Sequence, residues 1–183
     1  MKIDEVKTFL NSEFPIAIYD DQSDTDKFTV GFLVATTDQY ALINSISTRG
    51  YEDGFYLTLV EDIYRIDMRS QYLTKIMLLW QNLRQEKTLA FTSKDNLVTD
   101  LLKYAQKESL MVSLFLFNEE TTGITVWLKE LKESSITLEL VDDYGRPDGI
   151  SIIDSSNIAR IYCDSGHERN MKYLFDTGGV TTE

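Results

Sequence analysis

Residues 53–80 read DGFYLTLVEDIYRIDMRSQYLTKIMLLW, and residues 148–175 read DGISIIDSSNIARIYCDSGHERNMKYLF. Laid over one another at a constant offset of 95, without a gap, seven of the 28 positions are identical: Asp53/Asp148, Gly54/Gly149, Ile63/Ile158, Arg65/Arg160, Ile66/Ile161, Ser70/Ser165 and Leu79/Leu174. Asp62/Asn157, Ile76/Met171 and Trp80/Phe175 are similar in kind. Self-similarity at a fixed spacing is the mark of a duplicated structural unit. The same offset places Ile3, Val6 and Leu10 on Val98, Leu101 and Ala105. Between these stretches Gly31 aligns with Gly123 at an offset of 92, which implies three extra residues in the first copy, within DDQSDTDKF. Two tandem domains follow, over 1–90 and 95–183.

Each copy opens on a short stretch of helical spacing: Ile3, Val6 and Leu10 in the first, Leu97, Leu101 and Ala105 in the second, the latter capped by Ser93 or Asp95. Five strand-like runs follow. In the first copy they are 16–19, 29–36, 40–47, 55–60 and 63–68; in the second, 110–117, 123–128, 135–141, 149–154 and 158–163. Val, Ile, Tyr and Thr are frequent in them, most alternate at period two, and turn-rich pieces such as TTDQ, STRGYEDG and DDYGRPDG separate them. Connections this short exclude parallel crossovers, which need a dozen or more residues. The predicted fold is therefore mainly β with short helices: two small five-stranded antiparallel barrels, each preceded by a short helix and followed by a helical tail. In the first copy that tail spans 70–86, with Leu73, Ile76, Met77, Trp80 and Leu83 on one face. In the second, Ser165-Gly-His-Glu168 has capping-box form ahead of Met171, Leu174 and Phe175.

Composition bounds the function. Apolar residues make up 43% and charged residues 26% of the 183, the balance of a globular chain. No stretch reaches the roughly 18–20 apolar residues of a spanning helix, and the N-terminus lacks a signal-peptide core. One cysteine and one histidine rule out an internal disulfide and a multi-histidine metal site. The net charge of −12 opposes non-specific nucleic-acid binding, and these limits point to a cytoplasmic protein.

The segment LLKYAQKESLMVSLFLFNEETTGITVWLKELKESSITLEL, followed by ISIIDSSNIARI, resembles the Sm-like fold, in particular its Hfq-type branch: a helix, a V-S-x-x-L strand, a glycine-bearing second strand, a third strand, and two last strands joined by a tiny link. The first copy resembles it more weakly, and other SH3-like barrels share the same period. The resemblance implies edge-to-edge pairing through the fourth and fifth strands, and RNA binding at the turn between them. The Hfq branch carries a lysine–histidine pair in that turn. Here the turns are Val60-Glu61-Asp62, which is acidic, and Ser155-Ser156-Asn157, which has no cation.

No phosphate-cradling glycine loop, nucleophile elbow or zinc-binding helix motif occurs. Cys163 and His167, four apart, lack a third group to make a triad and read as a buried thiol and a helix-cap histidine. Asp142, Asp143 and Asp148 lack the spacing of a calcium loop and read as turn formers; Asp20, Asp21, Asp24 and Asp26 read as a solvated hairpin tip. No catalytic residue, cofactor or metal is assigned. The expectation is a non-enzymatic interaction or scaffold protein that binds a protein partner or self-associates, with Tyr51, Tyr56, Tyr144, Arg65 and Arg160 as the candidate surface. The alternative is an RNA-binding regulator using Lys103, Lys107, Lys129 and Lys132 as a local basic patch.

Overall fold

A computed structural model describes residues 1–86, 96–117 and 122–180. They divide into two compact units, Met1–Leu97 and Val98–Glu183. The chain is mainly β and its strands pair antiparallel. Ser93 and Asp95, the expected caps of the second opening helix, lie outside the described residues.

In unit 1 the short helix α1 (Ile3–Lys7) precedes β1 (Ile16–Tyr19), β2 (Thr29–Thr36), β3 (Tyr40–Ile46), β4 (Glu52–Leu59) and β5 (Arg65–Met68), and helix α2 (Gln71–Asn82) closes it. The strand order is β5-β1-β2-β3-β4. The second unit repeats the plan with α3 (Leu97–Lys107), β6 (Val112–Leu116), β7 (Ile124–Leu131), β8 (Ser135–Val141), β9 (Pro147–Asp154), β10 (Ile158–Cys163) and α4 (Gly166–Asp176), in the order β10-β6-β7-β8-β9. The closed barrel expected of each copy appears as an open five-stranded order, with the fourth and fifth strands at its two ends. The link between those strands is as short as expected, a single 3-10 turn at Ser155–Asn157 in unit 2.

The repeat extends to the register of the strands. In β2–β3, Gly31 faces Ser45, Phe32 faces Asn44 and Leu33 faces Ile43; in β7–β8, Val126 faces Leu140, Trp127 faces Glu139 and Leu128 faces Leu138. Every pair is related by 95. The bulges repeat too, at Leu33/Ala35 and Leu128/Glu130, and again at Asn44/Ile46 and Glu139/Val141. A bulge bends its strand, so the two sheets bend at matching places. Gly31 is thus the counterpart of Val126, and the alignment of Gly31 with Gly123 is corrected. The real length difference is one residue: β1 and β6 correspond at 96, because Ala17 faces Val30 where Ser113 faces Thr125. Two glycines in unrelated sheet positions attracted a false match across a loop.

The helix after the fifth strand is seated alike in both units. Residues Arg69 and Asp164 take left-handed φ of 55° and 57°, and Ser70 and Ser165 then cap α2 and α4 through their hydroxyls. Leu73, Ile76 and Trp80 of α2 bury against Ala17, Val30, Phe32 and Ile46. Met171 of α4 packs with Met111 and Val141. Phe32 meets Trp80 edge to face at 5.5 Å; at the equivalent places Trp127 meets Phe175 at 5.7 Å, the two ring types exchanged. The turn ahead of the fourth strand explains two of the glycines. Gly50 and Gly145 have φ of +82° and +76°, and a Cβ on either would fall on the helix, on Leu79 in one unit and Leu174 in the other. Only glycine satisfies both the left-handed backbone and the close approach.

Candidate functional site: two strand edges and a polar pocket

The equivalence of the units makes their differences readable residue by residue. Phe55 and Leu57 on β4 are 3% and 0% exposed; their counterparts on β9, Ile150 and Ile152, are each 71% exposed. β9 pairs with β8 along one side and lies at the end of its sheet order. Among the described residues it therefore presents an apolar side-chain row beside a run of backbone donors and acceptors that no other strand pairs with, the arrangement that invites another strand. The fifth strands differ in the opposite sense. Cys163 on β10 is fully buried, whereas its counterpart Met68 on β5 is 54% exposed. β5 pairs with β1 and is likewise the end strand of its unit.

The sequence-predicted surface residues are only partly on the surface. Tyr51 and Tyr144 are exposed at the turns before β4 and β9, and the Arg146 guanidinium lies over the Tyr144 ring at 4.9 Å. Tyr56 is 1% exposed, which removes it from any interface. Both faces of β4 are covered at this level, since Phe55 and Leu57 are buried as well, and the Tyr56 hydroxyl donates to Asp20, itself buried rather than part of the solvated tip. Arg65 on β5 is exposed. It makes a two-pronged contact with Asp67 at 2.8 and 2.6 Å and stacks over Tyr19 at 4.4 Å. That hydrogen-bonded contact from Arg65 holds the Asp67 carboxyl below its ordinary value. Arg160, its counterpart on β10, is half-buried.

The expected basic patch is largely neutralised in place. Lys103 is exposed on α3. Lys107 pairs with Glu108 at 3.1 Å, Lys129 with Glu139 at 2.5 Å, and Lys132 with Glu130 at 3.0 Å. The aspartates of DDYGRPDG serve the turn. Asp142 accepts from the Tyr144 and Arg146 N–H groups and from the Arg146 guanidinium, at 2.8–2.9 Å, and these bonds, the Arg146 N–H first, depress its pKa. Among the described residues no three His, Cys, Asp or Glu side chains gather as a metal site, and no helix is long and apolar enough to cross a membrane.

Cys163 and His167 do not share a helix, because Cys163 ends β10 and His167 lies in the first turn of α4. Burial pushes the Cys163 thiol far above its ordinary range, which makes it an inert core group. His167 instead borders a feature the sequence reading missed, a pocket of about 360 Å³ in unit 2. Its Nε2 lies 3.2 Å from Thr125 Oγ1, and Thr125 Oγ1 lies 3.2 Å from Ser113 Oγ. The Ser113 hydroxyl donates to Glu168 Oε1 at 2.6 Å, and the Ser165 N–H donates to Oε2 at 2.9 Å. Glu168 as a whole residue is 2% exposed. One of its oxygens closes the helix capping box; the other belongs to the pocket. The signal was present in the repeat, but only at the corrected spacing. Ser113, Thr125, His167 and Glu168 fall on Ala17, Val30, Tyr72 and Leu73, and Gly123 falls on Phe28.

No protein-family model, curated protein or solved structure matches this chain.

Proposed function

We propose that the protein is a non-enzymatic, self-assembling scaffold built from two modules of the Sm-like type, in which β9 of one copy pairs with β5 of the next. The observation that carries this reading is the inequality of equivalent strands. Ile150 and Ile152 are exposed where Phe55 and Leu57 are buried, and Met68 is exposed where Cys163 is buried. Each unmatched edge is one of the two strands, fourth and fifth, that Sm-like domains use for edge-to-edge contact. One chain carries one of each kind, so a second copy supplies what the first lacks. Such a contact is head-to-tail, and it closes into a ring or runs on as a filament according to the rotation per copy. The strongly negative surface limits less specific association.

Sedimentation velocity or light scattering across protein concentration tests this directly. The wild type should populate species larger than one chain at micromolar concentration. Ile150→Lys/Ile152→Lys, which charges an already exposed row, should return it to a monomer with an unchanged melting temperature. A wild type that stays monomeric at 100-fold higher concentration would sink the proposal. The RNA-binding alternative draws less support, since three of its four lysines already pair with glutamates. Absence of a shift with uridine-rich and adenine-rich oligonucleotides at low salt would remove it.

A further inference from the structure

Unit 1 shows what this part of the fold requires for stability. Ala17, Val30 and Leu73 sit in its apolar cluster, with Phe28 and Tyr72 packed against them. Tyr19 and Phe28 touch at 5.1 Å between ring centres, and Phe28 meets Tyr72 edge to face at 5.6 Å. Unit 2 builds the same strands and the same capped helix with a serine, a threonine, a glutamate and a histidine in that place. It deletes the Phe28 ring altogether, as Gly123. Each change runs against stability. The buried Ser113 hydroxyl and the buried Glu168 side chain cost desolvation, and a missing ring costs packing. The capping box accounts for one oxygen of Glu168; the other oxygen, the hydroxyls beside it and the lost ring at Gly123 serve no helix cap, and such a local departure from what the fold rewards marks a functional site.

The chemistry of the pocket limits its occupant. At one wall lies the Glu168 carboxylate with two of its acceptor positions used; a carboxylate offers about four. Phe115 and Tyr162 form an edge-to-face aromatic pair at 5.8 Å, and the Phe115 ring lies over the space that a Gly123 side chain would fill. Among the described residues no lysine or arginine lines the cavity. An aromatic-walled recess whose acidic group is Glu168, with His167 at its border, favours a cation that can donate hydrogen bonds and lie against a ring. Its volume is at the lower end of small-ligand pockets. We propose that this pocket binds a small organic ammonium: a protonated amine on a compact apolar or aromatic body. The ammonium donates to Glu168 Oε1 and Ser113 Oγ, and the body rests on Phe115 and Tyr162. This site is independent of the strand edges above and stands whether or not copies assemble.

Isothermal titration with three matched probes tests it: phenethylamine, 2-phenylethanol and 3-phenylpropionate. The amine should bind at least tenfold more tightly than the alcohol, and the carboxylate should show no heat. Glu168→Gln keeps a capping-box residue at the third helical position, so the helix remains. It should bring amine and alcohol to equal affinity. Gly123→Phe installs the ring that unit 1 carries and should abolish binding of all probes. Amine binding no tighter than alcohol or carboxylate binding overturns the proposal, as does an amine preference that survives Glu168→Gln. Absence of any amine binding up to millimolar concentration also overturns it. Because Glu168→Gln and the probe series each decide the matter alone, a Gly123→Phe chain that fails to fold leaves the conclusion unaffected.

Discussion

The floor beneath helix α2 and the floor beneath helix α4 are the same place in two copies of one design, and they differ almost completely in chemistry. Under α2 lie Ala17, Val30 and Phe28, met by Leu73 of the helix itself, an apolar filling. Under α4 lie Ser113, Thr125 and Gly123, and Ser113 and Thr125 form a hydrogen-bonded chain with Glu168 of the helix itself, beside an open pocket. The strands, bulges, glycine turns and helix caps around them are conserved between the copies to the residue. The comparison teaches that backbone geometry here is set by turns, bulges and caps. The side chains under the helix are free to diverge, in one unit toward stability and in the other toward a site.

The largest effect expected from breaking this comparison lies in the aromatic pairs. Trp80 is buried, so Trp80→Ala should cost about 3–5 kcal/mol in denaturant unfolding. Phe175, its half-exposed counterpart, should cost clearly less. Equal losses would show that the two helices are equally anchored and that the second is not the looser floor. Next come the glycine turns. Gly50→Ala and Gly145→Ala each force a side chain onto the helix at positive φ, and each should lose about 1–3 kcal/mol. A difference of more than that range between them would mean the helices are seated differently after all.

The polar chain gives a sharper test. Ser113→Ala leaves the buried Glu168 Oε1 without its donor and should cost about 1–3 kcal/mol. Thr125→Val, which copies unit 1, should be close to neutral. Ser113→Ala/Glu168→Leu should recover most of the single-mutant loss, because both partners then become apolar, less the modest cost of the broken capping box. Failure of the double variant to recover would mean that the carboxylate is held for helix capping alone.

The smallest effect is acid sensitivity. Ser23 lowers the pKa of Asp21, Arg65 that of Asp67, the Arg146 N–H that of Asp142, and Ser156 that of Asp154, each chiefly through a hydrogen bond. A carboxyl whose folded pKa lies below its unfolded value adds stability that is fully present above the unfolded value, roughly 3.9 for aspartate. That stability is lost as pH falls through the folded value. The melting temperature should therefore be flat from pH 7 to 5 and decline below about pH 4. Asp142→Asn removes a contribution that is present at neutral pH, so it should lower the melting temperature at pH 7 and flatten part of the decline below pH 4, as followed by circular dichroism.

What the chain alone determined was the plan. Alternating apolar positions, short polar turns and a repeat at 95 residues are local regularities, and they sufficed for ten strands, a helix after each fifth strand, and the capping box at Ser165. Local pattern is legible because strand and helix periods impose it on neighbouring residues. Tertiary structure alone decided the strand order, the left-open edges and the burial of Tyr56. It also decided the pairing of Lys129 with Glu139, and the meeting of Ser113, Thr125, His167 and Glu168. These depend on which residues lie opposite one another across strands, and a one-residue change of register reverses every such assignment. The false match of Gly31 with Gly123 shows the cost. With β1 and β6 offset by 96 and the remaining strands by 95, the polar substitutions under α4 stand out at once; with the wrong spacing they are scattered polar residues in an ordinary sheet.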